Sequence, residues 1–139
     1  MKKLNSNRLE NDQEIDTAEL AIEISDFNKI RYEICKSLDS NKAGDVVMLN
    51  LKPHFSYDLW FIMATALSNT HLKKLVQDIV FSLRKRGVYS SYVPNDLDYS
   101  SGWVALDYGE LVVHVFTEEQ RKYYQLEDLW KNAIFENYP

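Results

Sequence analysis

Residues 111 to 116 read Leu-Val-Val-His-Val-Phe, and no other stretch restricts the fold of this chain as tightly. Successive side chains of a strand point to opposite faces, so Leu111, Val113 and Val115 form one face and Val112, His114 and Phe116 the other. Both faces are largely apolar. One must lie against helices, and the other must be covered by a further element, a second subunit or a partner. Trp103 to Leu106 precedes this strand across Asp107-Tyr108-Gly109-Glu110. The spacing is that of a β-hairpin, although Tyr-Gly is a weaker turn signal than Asn-Gly.

Periodicity elsewhere supplies the partners of that strand. Phe27, Ile30, Ile34 and Leu38 recur at helical spacing behind the capping pair Ser25-Asp26, and Ala43-Gly44 closes the segment. Asp45 to Leu51, stopped by Pro53, and Leu59 to Ala66 are short apolar runs that read as buried strands. Ser68-Asn69 caps a long helix with the stripe Leu72, Leu75, Val76, Ile79, Val80 and Leu83. Arg84-Lys85-Arg86 complements its negative end and Gly87 is its C-cap. Val88 to Val93 predicts a further strand, and Pro94 to Gly102 a turn-rich connection. Thr117 caps a last helix with Gln120 at capping-box spacing. The aromatics after it, Tyr123, Tyr124 and Trp130 with Leu126 and Leu129, suit a core as well as an interface. The order predicts an α/β (α+β) fold, a mixed five-stranded sheet with flanking helices and one parallel crossover. Residues 26–139 form the expected domain. Residues 1–25 form an acidic extension, its first half reading as a mobile tail and Ile15 to Ile24 as a short helix or extended segment.

Composition narrows the function. With 45% hydrophobic and 27% charged residues in 139, the chain is an ordinary globular one, and no apolar run approaches the roughly 20 residues that span a bilayer. The start, Met1-Lys2-Lys3-Leu4-Asn5, continues polar and acidic without the apolar stretch of a secretory signal, so a cytoplasmic protein is expected. The single cysteine, Cys35, excludes an internal disulfide and reads as a buried, inert thiol. A formal net charge of −5 disfavours a direct nucleic-acid reader and suits a basic protein partner. His54, His71 and His114 are widely separated, so no metal site is expected, and His114 on an apolar face reads first as a hydrogen-bonded structural histidine. Phosphate-loop motifs are absent and no cofactor is expected. Nucleotidyl transfer remains the one catalytic class to weigh, with Asp45, Asp58 and Asp107 as its candidate acids.

The stretch from Ser101 to Trp130, SGWVALDYGELVVHVFTEEQRKYYQLEDLW, resembles the ribosomal silencing factor family, also called the Iojap or RsfS family. The matching features are a Trp, a strand, Asp-Tyr-Gly-Glu, a strand with Val-His-Val-Phe, and Glu-Glu-x-Arg-x-x-Tyr-x-Leu-Glu-x-Leu-Trp. The likeness extends more weakly to Lys42 to Val47, to the strand after Asp58 and to the helix start at Ser68. It departs at Ala66-Leu67, where the family has Thr-Gly before the capping Ser, and at Pro94-Asn95, in place of a Glu-Gly pair. The resemblance implies a nucleotidyltransferase-like fold without demonstrated transfer activity, hence no enzyme, and a homodimer. It also implies binding to the large ribosomal subunit through its basic ribosomal protein numbered fourteen, where the factor sterically blocks small-subunit joining and represses translation. The residues expected at that interface are Trp103, Asp107, Tyr108, Gly109, Glu110, Val112, His114 and Tyr124. Trp103, Tyr108 and Val112 would anchor it, with Asp107 and Glu110 pairing with basic groups. The alternatives are a nucleotidyltransferase-type enzyme and a dimeric adaptor with no ribosomal role.

Overall fold

The structure is a computed structural model that describes residues 27–137; the expectations for residues 1–25 and the cap at Ser25-Asp26 lie outside them. Helix α1, Phe27–Ser40, buries Ile30, Ile34, Cys35 and Leu38 along one stripe. Lys42 (φ 65°), and not Gly44, takes the left-handed turn that ends it, and Gly44 opens β1, Gly44–Asn50. A one-turn helix α2, Lys52–Phe55, leads to β2, Trp60–Ala66. Helix α3, Asn69–Arg84, starts where the Ser68 hydroxyl accepts the His71 N–H at 3.1 Å. It buries Leu72, Leu75, Val76, Ile79 and Leu83. Gly87, at φ +82°, turns the chain away after it.

The strand expected from Val88 to Val93 does not form. Only Val88 turns inward, while Tyr89, Tyr92 and Val93 are exposed, so the segment lacks the apolar face that would seat a strand. Ser90 donates instead to the Tyr92 carbonyl, a local bond that competes with sheet pairing. The turn-rich segment after it holds a short helix, α4 (Asp96–Ser100), opened by an Asn95/Asp98 capping box. Strands β3, Trp103–Asp107, and β4, Leu111–Thr117, form the expected hairpin. Thr117 caps α5, Glu118–Tyr124, which is followed by α6, Leu126–Leu129. Sequence periodicity missed β5, Ile134–Asn137, four residues long and paired antiparallel to β1.

The sheet is therefore mixed and five-stranded, with the order β3-β4-β2-β1-β5. Its central pair, β2 and β4, is parallel and every other pair antiparallel, so the single crossover runs from β2 through α3, α4 and β3 to β4. Helices α1 and α3 cover the front face. Ile62, Ala64, Val104, Leu106, Leu111, Val113 and Val115 meet them there in the main core. No helix among the described residues is long and apolar enough to cross a membrane.

Candidate docking surface on the rear of the sheet

Register defines the opposite, rear face. Trp103, Ala105 and Asp107 lie across from Phe116, His114 and Val112 on β4, and these across from Thr65, Met63 and Phe61 on β2. Leu49 and Val47 of β1 continue the row. The C-terminal arm α5-α6-β5 folds over part of it. Leu126, Trp130 and Ala133 pack with Leu49, Leu51, Met63 and Phe116 into a second, smaller core.

Arg121 fastens that arm. Its guanidinium donates to the Asp45 carbonyl (2.8 Å) and Thr65 Oγ1 (2.7 Å) on one side. On the other its Nε and Nη2 both donate to one oxygen, Oε2, of Glu127, at 3.1 and 2.5 Å. A planar guanidinium that donates in several fixed directions holds geometry better than a point charge does. The cleft beside it, lined by Glu118, Lys122 and Asp128 among others, is thus floored by an arginine already engaged with the protein.

The arm leaves the β3-β4 side of the rear face open. Trp103, Ala105, Val112 and Phe61 are only half-buried there. The Trp103 indole stacks on Phe116 (5.1 Å between centroids, 23° between planes) and meets Tyr124 at 4.6 Å. Beneath it, His114 is 7% exposed. His114 Nδ1 accepts the Trp103 indole N–H at 3.2 Å, which places the imidazole proton on Nε2. That nitrogen is buried with no hydrogen-bond partner among the described residues, an arrangement that typically costs about 1–3 kcal/mol. Burial pushes the His114 pKa down to about 4, because a charged ring would lose its hydration there. At the other end of the face a second aromatic group continues the surface. Trp130 contacts His54 (5.1 Å), Phe55 (5.5 Å) and Phe61 (6.3 Å), and Phe55 meets the exposed Tyr57 at 5.8 Å.

Of the residues expected at the interface, Trp103, Asp107, Val112, His114 and Tyr124 come together on the rear side, His114 as a buried support with almost no surface of its own. Gly109 and Glu110 are exposed at the hairpin tip. Gly109 adopts φ +89°, and its N–H is accepted by the Asp107 carboxylate at 2.8 Å. Tyr108 falls elsewhere, packing against the front core, where burial pushes its hydroxyl up to about 12. Sequence reasoning missed Phe61, Phe55 and His54 as members of this surface, and left Trp130 open between core and interface. The alternation Trp60-Phe61-Ile62-Met63 was the available signal for Phe61, but only the parallel β2-β4 register sets it beside Val112.

The acids weighed for nucleotidyl transfer do not converge. Asp45 follows Gly44 at the Thr65 end of β1. Asp58 accepts from Asn50 at 3.0 Å beyond the other end, and Asp107 braces the hairpin turn. No group of His, Cys, Asp and Glu suited to a metal ion occurs among the described residues. Cys35 is buried in the front core and its thiol is pushed up to about 12, which leaves it a packing residue and not a nucleophile.

Residues 25–138 match the family described as ribosomal silencing factor during starvation. A Chromobacterium violaceum ribosomal silencing factor is 32% identical over 109 residues, 78% of this chain and 85% of its own. A mitochondrial Iojap-related protein of Arabidopsis thaliana is 32% identical over 100 residues, 70% of this chain. The match spans 54% of that plant protein's length. A crystal structure of a Chromobacterium violaceum protein superposes with a TM-score of 0.66 at 31% identity, covering 75% of this chain and 85% of that one. The open aromatic hairpin described above is the stretch that carries the family pattern, and the chain belongs to the ribosomal silencing factor family.

Proposed function

We propose that this chain represses translation as a binding protein in the cytoplasm: it docks on the large ribosomal subunit and blocks small-subunit joining by occupying space. Its contact there is a basic ribosomal protein, the one numbered fourteen in the family. One observation supports the site above all others. The rear of the β3-β4 hairpin is an apolar, aromatic surface that the fold leaves half-open, where a strand apolar on both faces calls for a cover. Trp103, Tyr124, Val112 and Phe61 supply the anchors. Asp107 and Glu110, exposed at the rim, orient a basic partner. Tyr108 contributes by fixing the turn from the front and not by contact. Residues 26–139 are the working unit, and the free protein is a homodimer.

The experiment is a sucrose gradient of purified protein with isolated large and small subunits. Wild type comigrates with the large subunit and inhibits subunit joining stoichiometrically. Trp103→Ala weakens association by about 2 kcal/mol, the scale of an interface hot spot. A folded Trp103→Ala protein that comigrates undiminished removes this surface from the interface. Magnesium-dependent nucleotide turnover abolished by Asp107→Asn would replace the binding reading with an enzymatic one.

A further inference from the structure

We propose that His114 is a positioning residue for docking, holding the Trp103 indole from beneath in the orientation that the partner meets. The inference rests on the docking reading above and adds to it the device that shapes the anchor. His114 stands mid-strand on β4, directly opposite Ala105 on β3 and Met63 on β2. Its ring fills an aromatic stack, with Phe61 edge-on at 4.5 Å and Phe116 and Trp103 at 6.0 and 5.8 Å. A phenylalanine would serve that packing equally well and would bury no polar nitrogen.

What the imidazole adds is one acceptor. An indole N–H can only donate, and Nδ1 of His114 receives it. The opposite nitrogen is left buried and unmatched among the described residues, so the histidine sacrifices some stability to provide that acceptor. Because burial keeps the ring neutral down to about pH 4, the lone pair on Nδ1 is present throughout the physiological range. The beneficiary is only partly buried: Trp103 lies between Phe116 below and Tyr124 alongside. Fixing its second dihedral removes the freedom that the ring would otherwise lose on binding.

Two variants separate this role from simple packing. His114→Phe keeps an aromatic ring and removes the acceptor; His114→Gln returns an acceptor oxygen. The readouts are affinity for isolated large subunits and, in the free protein, solvent exchange of the Trp103 indole N–H by nitrogen-15 NMR, assigned with Trp103→Phe. We expect slow exchange in wild type, and in His114→Phe fast exchange with affinity lowered roughly five- to tenfold, the cost of ordering one side chain on binding. His114→Gln should restore both. If His114→Phe binds like wild type while Trp103→Ala does not, the docking surface stands and the positioning role is lost. If Trp103→Ala also binds like wild type, the docking reading itself fails. Equal weakening by Phe and Gln with unchanged exchange assigns the effect to packing and overturns the proposal. Should His114→Phe not fold, rapid exchange of the Trp103 N–H in the wild-type protein is sufficient to reject it.

Discussion

The front and rear of this sheet are made of different materials. Leu, Ile and Val from α1, α3 and the strands dominate the front, with Trp60 and Tyr99 among them, and most of its side chains are fully buried. The rear carries Trp103, His114, Phe116, Phe61 and Trp130, and its cover is a C-terminal arm held by the Arg121 contacts and by the pairing of β5 with β1. Aliphatic side chains interdigitate in well-defined rotamers and yield stability. Aromatic ones combine large contact area with few rotatable bonds and a polar edge, which suits a surface that is buried only intermittently. If the proposed docking holds, the contrast makes folding and binding separable at the open hairpin: damage to the front should appear as lost stability, and loss of the exposed rear side chains as lost affinity.

Leu75→Ala tests the front most severely. The residue is fully buried, and truncation of a core leucine costs about 3–4 kcal/mol, read as a lower midpoint in urea, while affinity measured where the variant is still folded stays unchanged. A drop in affinity of the folded variant would show the faces to be coupled. Next in size is the pH dependence of the rear. His114 titrates near the ordinary histidine value of 6.5 when unfolded and at about 4 when folded, so between those values the unfolded chain binds more protons. Stability contributed by the neutral ring is complete above pH 6.5 and is lost as pH falls through 4. The stability difference between wild type and His114→Gln should therefore shift against wild type by on the order of 3 kcal/mol from pH 7 to below 4; a flat difference would place the ring in water.

Arg121→Ala removes the arm's fastening and leaves Glu127 unpaired, for a cost of about 2 kcal/mol. Hydrogen exchange should accelerate across α6 and β5 before it does in α3. Smallest of all, the double substitution Asp107→Asn, Glu110→Gln alters exposed rim charges and should leave stability within about 0.5 kcal/mol. It should slow association and flatten its salt dependence; an unchanged salt dependence would take these acids out of the contact.

The front was legible in the sequence because its signals are local. Leu72, Leu75, Val76, Ile79 and Leu83 announce one helical face, Ser68 its start, and Leu111, Val113 and Val115 the strand face that meets it. The rear was half legible. Alternation sets Val112 and His114 on one face, whereas Trp103 and Tyr108 enter only through the family resemblance, and Tyr108 packs in front. Phe61 joins the surface only through pairing with β4, a non-local register. Val88 to Val93 has strand-forming residues but only one inward side chain, and β5 has only Ile134 and Phe135 as apolar markers, both about half exposed. Propensity misjudges both because tertiary pairing, and not composition, decides such short edges.

The central parallel pair has a consequence for synthesis. Trp60 meets Leu111 across a separation of about fifty residues, and contacts so distant in the chain form late because a large loop must first close. Until β4 has left the exit tunnel, Trp103 and Phe61 have no strand between them to bring them onto one face. A nascent copy therefore completes the proposed docking surface only when most of it has already been made.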